Sequence, residues 1–317
     1  MIFLCFANYG YAQHSTEANN LQNVQHFLSA NRSNVAANQA RFIVNEKKTD
    51  SGWLQARYYM KNQEIEMQGL YEDSALTIPN GTFYYFYPHK KLKAIEKYVH
   101  GKREGTWVSY FENEYLKDSS NYKDDHPVGT VYSWYSTGFP KDSVVYQPDG
   151  EAVSVSWFRN GKLSAAGRYT HWNVPTRTWV YYHDNGIVSA KEQYDQGMLV
   201  NKFYYNEKGE AIDTTNRDSE AKFDHGKWSE YLSKHLYFPS SYKFVNGNKA
   251  EDVVLFIIDT KGDIIEARVD IPFEDAFDRI ALNGIRSCKS KWIPEIAHNR
   301  YVESEQRQMV IYNDINY

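Results

Sequence analysis

Between residues 52 and 212 the chain is written in short runs of alternating apolar and polar positions, each closed by a glycine or a polar turn. The runs "GTFYYFYPHKKL", "GTWVSYFENEYL" and "GTVYSWYSTGFP" start at Gly81, Gly105 and Gly129, a constant step of 24 residues. Tyr98, Tyr122 and Tyr146 recur at the same step. With small slips the series continues through "SVSWFRNGKL" and Tyr169, then "RTWVYYHDNGIV" and Tyr194, while Gly138, Gly161, Gly186 and Gly209 mark a recurring turn. Two such runs and two turn signals per unit predict a β-hairpin, because successive strand side chains point to opposite faces. In 105–117, Trp107, Ser109 and Phe111 share one face, and Val108 and Tyr110 the other. A lone hairpin is unstable in water, but stacked copies bury a common apolar face. Residues 52–71 read as a degenerate leading copy before a "PNG" turn at 79–81, and 13–51 as a terminal cap of the array. Lys90 and Glu114 stand where the turn glycine is expected, so the turn geometry of those copies does not follow from the sequence.

The polar stretch "DTTNRDSEAKFD" (213–224) breaks the series and reads as a linker. Beyond it the period changes. "KWSEYLSKHLYFP" (227–239) sets Trp228, Tyr231, Leu232 and His235 at helical spacing and stops at Pro239. Two strands are expected in 252–271 around Asp259-Thr260-Lys261-Gly262, a helix in 273–288 through Phe277, Ile280, Ala281, Ile285 and Cys288, and a last strand at 307–313. The expected fold is mainly β: an array of β-hairpin repeats forming an extended antiparallel sheet over 52–212, then a small α+β domain over 225–317 in the order α-β-β-α-β.

Composition narrows the classes. The 317 residues exceed one usual domain, and 16% aromatics with 27 tyrosines suit a pleated, half-wet surface. A net charge of −4 lacks the basic excess that nucleic acid demands. The start, "MIFLCFANYGYAQ", reads as an export signal over 1–12 whose basic leading region is missing. Cys5 leaves with it, and Cys288 then has no partner for an intrachain disulfide. No later run approaches the roughly 20 apolar residues of a membrane span, so no transmembrane segment is expected in the mature chain. The expected location is the periplasm, or association with the outer membrane after export.

Candidate chemistry is sparse. His171 and His183, His225 and His235, and His89 and His100 show no zinc-binding pattern. Cys288 lies on an apolar helical stripe without a visible base. There is no nucleophile elbow and no phosphate-binding glycine loop. Glu64, Glu66, Asp124 and Asp125 fall in turns and on polar faces. The chain is therefore read as a non-enzyme with no metal and no cofactor. Trp107, Trp134, Trp157 and Trp179 admit two readings, a sheet core or a surface platform for sugars or peptides. The lysines Lys90, Lys91, Lys93 and Lys97 read as a solvated edge that discourages strand pairing.

The unit Gly-x-Trp-x-x-Tyr, an Asn-Gly turn and a Tyr resembles the MORN-variant repeats of bacterial exported proteins, over about half the chain. The helix ending in Tyr237-Phe238-Pro239, "IIDTKGDI", the helix with Asp278, and Trp292-Ile293-Pro294 resemble the C-terminal domain of TonB, over about 90 residues. That resemblance implies capture of an extended segment of an outer-membrane receptor as an added strand. Here the receiving edge is Gln306, Arg307, Gln308, Met309, Val310, Ile311 and Tyr312, and the same edge admits pairing with a second copy. An unpaired strand offers its backbone to any extended chain, so the mode is physically self-sufficient. The nine prolines are scattered and form no long spacer, so energy transduction is not expected. The expected function is an exported cell-envelope binding scaffold, its partner a component of the outer-membrane transport system and its repeats a spacer or docking surface. The alternative makes the repeats the working surface, binding glycan, peptidoglycan or protein through exposed aromatics, with the C-terminal domain used for assembly.

Overall fold

The computed structural model describes residues 23–240, 242–243, 249–288 and 292–313. The expected export signal at 1–12, with Cys5, lies outside the described residues. The chain is mainly β, with 56% of the described residues in strands and 9% in helices.

Seventeen strands form one sheet. It begins with β1 (Asn23–Leu28), β2 (Phe42–Thr49), β3 (Gly52–Tyr59), β4 (Ile65–Tyr71), β5 (Gly81–Phe86) and β6 (Leu92–Val99). A two-residue β7 (Lys102–Arg103) precedes β8 (Gly105–Tyr110), β9 (Leu116–Lys123), β10 (His126–Trp134), β11 (Pro140–Tyr146) and β12 (Ala152–Trp157). β13 (Leu163–Thr170), β14 (Val174–Tyr182), β15 (Val188–Asp195), β16 (Met198–Tyr205) and a short β17 (Ala211–Ile212) complete it. Successive strands pair antiparallel, save that β6 pairs with both β7 and β8. β1 and β2 come from the expected cap and extend the same sheet.

The aromatics hold adjacent copies together. Edge-to-face contacts run from Tyr71 through Phe83, Tyr98 and Trp107 to Tyr122, with ring centroids 5.1, 5.2, 4.9 and 5.2 Å apart. Such pairs contribute about 0.5–1.5 kcal/mol beyond area burial. At the turn end, hydroxyls reach the next copy's backbone: Tyr59 donates to the Phe86 carbonyl (3.1 Å), Tyr87 to Tyr110 (2.9 Å) and Tyr135 to Trp157 (2.7 Å). Phe111 and Phe158 occupy the same position without a hydroxyl. The turns share one backbone path. In 158–162 the Gly161 N–H returns to the Phe158 carbonyl and Asn160 Oδ1 accepts the Lys162 N–H. Glu114 keeps that path with φ 70°, and its N–H returns to Phe111 in the same way. The replaced glycine therefore leaves the turn intact and strains the residue there.

Six of the hairpins also carry a β-bulge that their sequence does not advertise. Just after the turn, the second strand has one residue opposite nothing: Glu66, Lys93, Lys117, Lys141, Ser164 and Ser189. A bulge bends the strand and re-aims a side chain.

The C-terminal unit consists of β18 (Lys222–Phe223), α1 (Trp228–His235), β19 (Lys249–Ile258), β20 (Ile264–Ile271), α2 (Asp275–Arg286), β21 (Trp292–Ile293), β22 (Glu295–Ala297), β23 (Arg300–Val302) and β24 (Ser304–Asn313). Its sheet has the order β20-β19-β24, and β18 pairs with β21. One face of β19 and β24, with Ala250, Val254, Phe256, Val310 and Tyr312, packs on Phe277, Ile280, Ala281 and Ile285 of α2. Phe223, from the stretch expected as linker, belongs to this core. The other face meets the array: Val253 and Ile271 pack with Ala30, Phe42 and Tyr59. With both faces covered, β19 reads as the near-continuous apolar run "VVLFII". The unit thus lies against the array, not beyond it.

Candidate functional site

The last strand supplies the first candidate. β24 pairs with β19 along its whole length, from Lys249 opposite Asn313 to Ile258 opposite Ser304. Along its other margin no strand pairs among the described residues. Which peptide groups face that margin follows from Arg41, whose Nη2 donates to the Glu251 carbonyl at 3.0 Å and to the Pro272 carbonyl, beyond the end of the β19–β20 ladder. The peptide groups of Glu251 therefore point away from β24, and so do those of its opposite residue, Ile311, from β19. By strand alternation the groups of Gln306, Gln308, Val310 and Tyr312 serve the ladder. Those of Glu305, Arg307, Met309, Ile311 and Asn313 face outward. The Gln308 side-chain amide donates to the outward Met309 carbonyl. Of the expected edge residues, Val310 and Tyr312 are core residues, while Arg307 and Ile311 are exposed, Ile311 at 47%.

A charged joint ties this unit to the first hairpins. Lys61 Nζ lies 2.6 Å from Asp275 and 3.0 Å from Asp278, both on α2. Asp252 on β19 is fully buried beside them. Burial, and then the negative charge of Asp278, push its carboxyl up to about 8 against the pull of Arg41. Asp252 thus holds its proton well above the ordinary carboxylate range. At the far end of the array the β22–β23 hairpin docks. Its two-residue turn, His298 and Asn299, has φ 55° and 59°, a type I′ geometry. The His298 ring stacks on Tyr181 at 3.7 Å and its Nδ1 meets Glu192 at 3.0 Å. Burial pushes Glu192 up, but the hydrogen bonds from His298 and Tyr194 outweigh it and leave this carboxyl below its ordinary value. Asn299 donates to the carbonyls of Ser189 and Tyr205. Arg300, held down to about 10 by burial, donates to Ser164 Oγ.

Between these two anchors a cleft of about 920 Å³ opens, walled by β9–β11 with the adjoining turns and floored by β19, β20 and the start of β24. Leu255 and Ile257 give the floor apolar surface. Arg159 crosses it to Glu266 and Glu303, each at 2.8 Å, and Ser136 Oγ meets Glu266 as well. On the wall, Ser109 Oγ donates to Asp118 (2.6 Å) and Ser133 Oγ to Asp142 (2.7 Å).

The four tryptophans do not form one surface. Trp107 and Trp179 are equivalent, and each indole N–H is tied to a backbone carbonyl, that of Lys97 (2.9 Å) and of Arg168 (3.0 Å). Trp179, at 6% exposure, is core, and Gly167 has no side chain because a Cβ there would stand 2.0 Å from its ring. Trp134 and Trp157 sit three residues further along their copies, beside the bulge; the Trp134 ring lies against exposed Tyr132. Other expectations shift similarly. Lys93, its side chain still 39% exposed, also pairs with Asp270 at 3.4 Å. Glu66 is buried between Arg57 and Arg32. Sequence reasoning passed over Lys117, Lys141, Asp118 and Asp142, although their step of 24 residues marks them as equivalent pairs. It also passed over the β22–β23 hairpin, whose signal was the polar pair His298-Asn299 between Ile296 and Tyr301. Among the described residues no group of three or more His, Cys, Asp or Glu side chains is placed to hold a metal ion. No helix of the described residues is long and apolar enough to cross a membrane. No family model matches the chain, and no curated protein matches it.

Proposed function

We propose that the protein is an exported cell-envelope binding scaffold whose C-terminal unit captures an extended peptide of an outer-membrane transport component by strand addition along β24. One observation carries this reading: the outward peptide groups of Glu305, Arg307, Met309, Ile311 and Asn313 have no strand partner among the described residues. An added antiparallel or parallel strand satisfies them, and exposed Ile311 supplies an apolar contact beside the new ladder. The likeness of this unit's sequence to the C-terminal domain of TonB supports the same mode. The array acts as the rigid body that holds the margin in place, since the other face of β19 is packed on Phe42 and Tyr59. Binding, not catalysis, is the activity assigned.

Arg307→Pro tests it. A proline there removes an outward N–H and leaves the β19 ladder whole. Full-length protein should retain outer-membrane transport proteins from detergent-solubilised envelopes, identified by mass spectrometry, and Arg307→Pro should lose them without a change in thermal unfolding of more than a few degrees. Equal retention by both proteins contradicts strand addition.

A further inference from the structure

The bulge residues divide into two groups. In four hairpins the re-aimed side chain has a partner. Glu66 meets Arg32 and Arg57, Lys93 meets Asp270, Ser164 accepts from Arg300 (3.1 Å) and Ser189 donates to the His298 carbonyl (3.3 Å). In the two central hairpins the bulge residues are Lys117 and Lys141. Both line the cleft, and neither has an ion-pair partner among the described residues, although the Lys117 ammonium lies 5.9 Å from the centre of the Phe111 ring and the charge of Lys141 favours the ionised Glu303. The nearby Glu303 is already held by Arg159. These two copies also depart from the others beside the bulge. Where the other copies pair Arg57 with Met67, Tyr85 with Ala94, Ser156 with Ala165 and Tyr181 with Ala190, they pair Ser109 with Asp118 and Ser133 with Asp142. The second member of the pair is thus a carboxylate only in the two copies that face the cleft, and local departures from a consistent pattern mark function.

We propose that this cleft binds an acidic peptide segment, with one carboxylate on Lys117 and a second on Lys141. With Lys91 and Glu112 the wall offers three cations and three anions, a set that suits a chain bearing both acidic side chains and N–H donors for Asp118 and Asp142. Leu255 and Ile257 give apolar surface to the side chain between the acids. Lys117 and Lys141 occupy equivalent positions on β9 and β11, two strands apart, hence about 10 Å. In an extended peptide, side chains two residues apart share a face and stand about 7 Å apart, a gap that the flexible lysine and glutamate stems close. The cleft volume lies at the upper end of the roughly 300–1,000 Å³ usual for small-ligand sites. This site is separate from the β24 margin and does not rest on strand capture there.

The test uses the full chain and an N-acetylated Glu-Leu-Glu-Gly-Lys amide with fluorescein on the lysine amine, read by fluorescence anisotropy. Lys117→Ala and Lys141→Ala should each weaken binding at least tenfold, as should replacing both glutamates of the probe by glutamine. Arg307→Pro should bind the probe like the wild type, so a failure of the β24 reading is distinguishable from a failure here. Thermal unfolding confirms that both lysine variants are folded, and Lys→Gln versions repeat the comparison. Probe affinity unchanged in both lysine variants, or an equally tight glutamine probe, overturns the proposal. Lysine-dependent binding of free nonanedioate without binding of the acidic peptide overturns the assignment to a peptide.

Discussion

Asp252 makes the joint between the two parts of the chain sensitive to pH. Its carboxyl, fully buried between β19 and α2, titrates near 8 because burial and then the charge of Asp278 oppose its ionisation. Unfolded, it titrates near its ordinary 3.8. Between these values the folded chain holds a proton that the unfolded chain has released, so stability falls as pH rises and the loss is complete above about 8. The slope is about 1.4 kcal/mol per pH unit. Asp252→Asn keeps a neutral side chain of the same shape in both states and removes this dependence. From about pH 5 to 7.5 the wild type should therefore lose roughly 3 kcal/mol relative to the variant. Urea unfolding followed by tryptophan fluorescence at several pH values in that range reads the difference directly. Parallel stability profiles for the two proteins refute the assignment of a neutral, buried Asp252.

Three further outcomes follow from the repeat. Glu114→Gly relieves a left-handed residue at φ 70° and should raise stability by about 0.5–1 kcal/mol, measured as a higher denaturation midpoint with an unchanged slope. Tyr135→Phe removes the 2.7 Å bond to the Trp157 carbonyl and should cost about 1 kcal/mol, whereas Phe111→Tyr supplies the equivalent bond to the Trp134 carbonyl and should gain a similar amount in the same assay. Phe42→Ala empties the packing under Val253 and Ile271 and should cost about 3–5 kcal/mol, read as earlier unfolding of the whole chain.

The repeat was legible because hairpin spacing and pleat alternation are local properties; Gly81, Gly105 and Gly129 announce them in the sequence itself. The helix through Phe277, Ile280, Ala281 and Ile285 was legible for the same reason, and it spans Asp275–Arg286. The bulges were not. Lys93, Lys117 and Lys141 look like ordinary strand residues until the register with the partner strand shows that nothing stands opposite them. The cleft was hidden for a deeper reason, since it exists where the C-terminal unit folds back over the array. Arg41 reaching Glu251 and Tyr181 stacking on His298 join residues more than a hundred positions apart, and no local period encodes such pairs. The four tryptophans show the same limit. They share a residue type, but Trp179 and Trp134 stand at different points of the hairpin, one in the core and one beside the bulge.

Amide hydrogen exchange along the last strand, resolved by residue, bears most directly on the central claim. In the free protein the N–H groups of Arg307, Met309 and Ile311 should exchange fast while those of Gln306, Gln308 and Val310 are protected by β19. A captured transporter segment should slow the first set and leave the second unchanged. Uniform protection of all six in the free monomer, unaltered by any such segment, contradicts an open margin on β24.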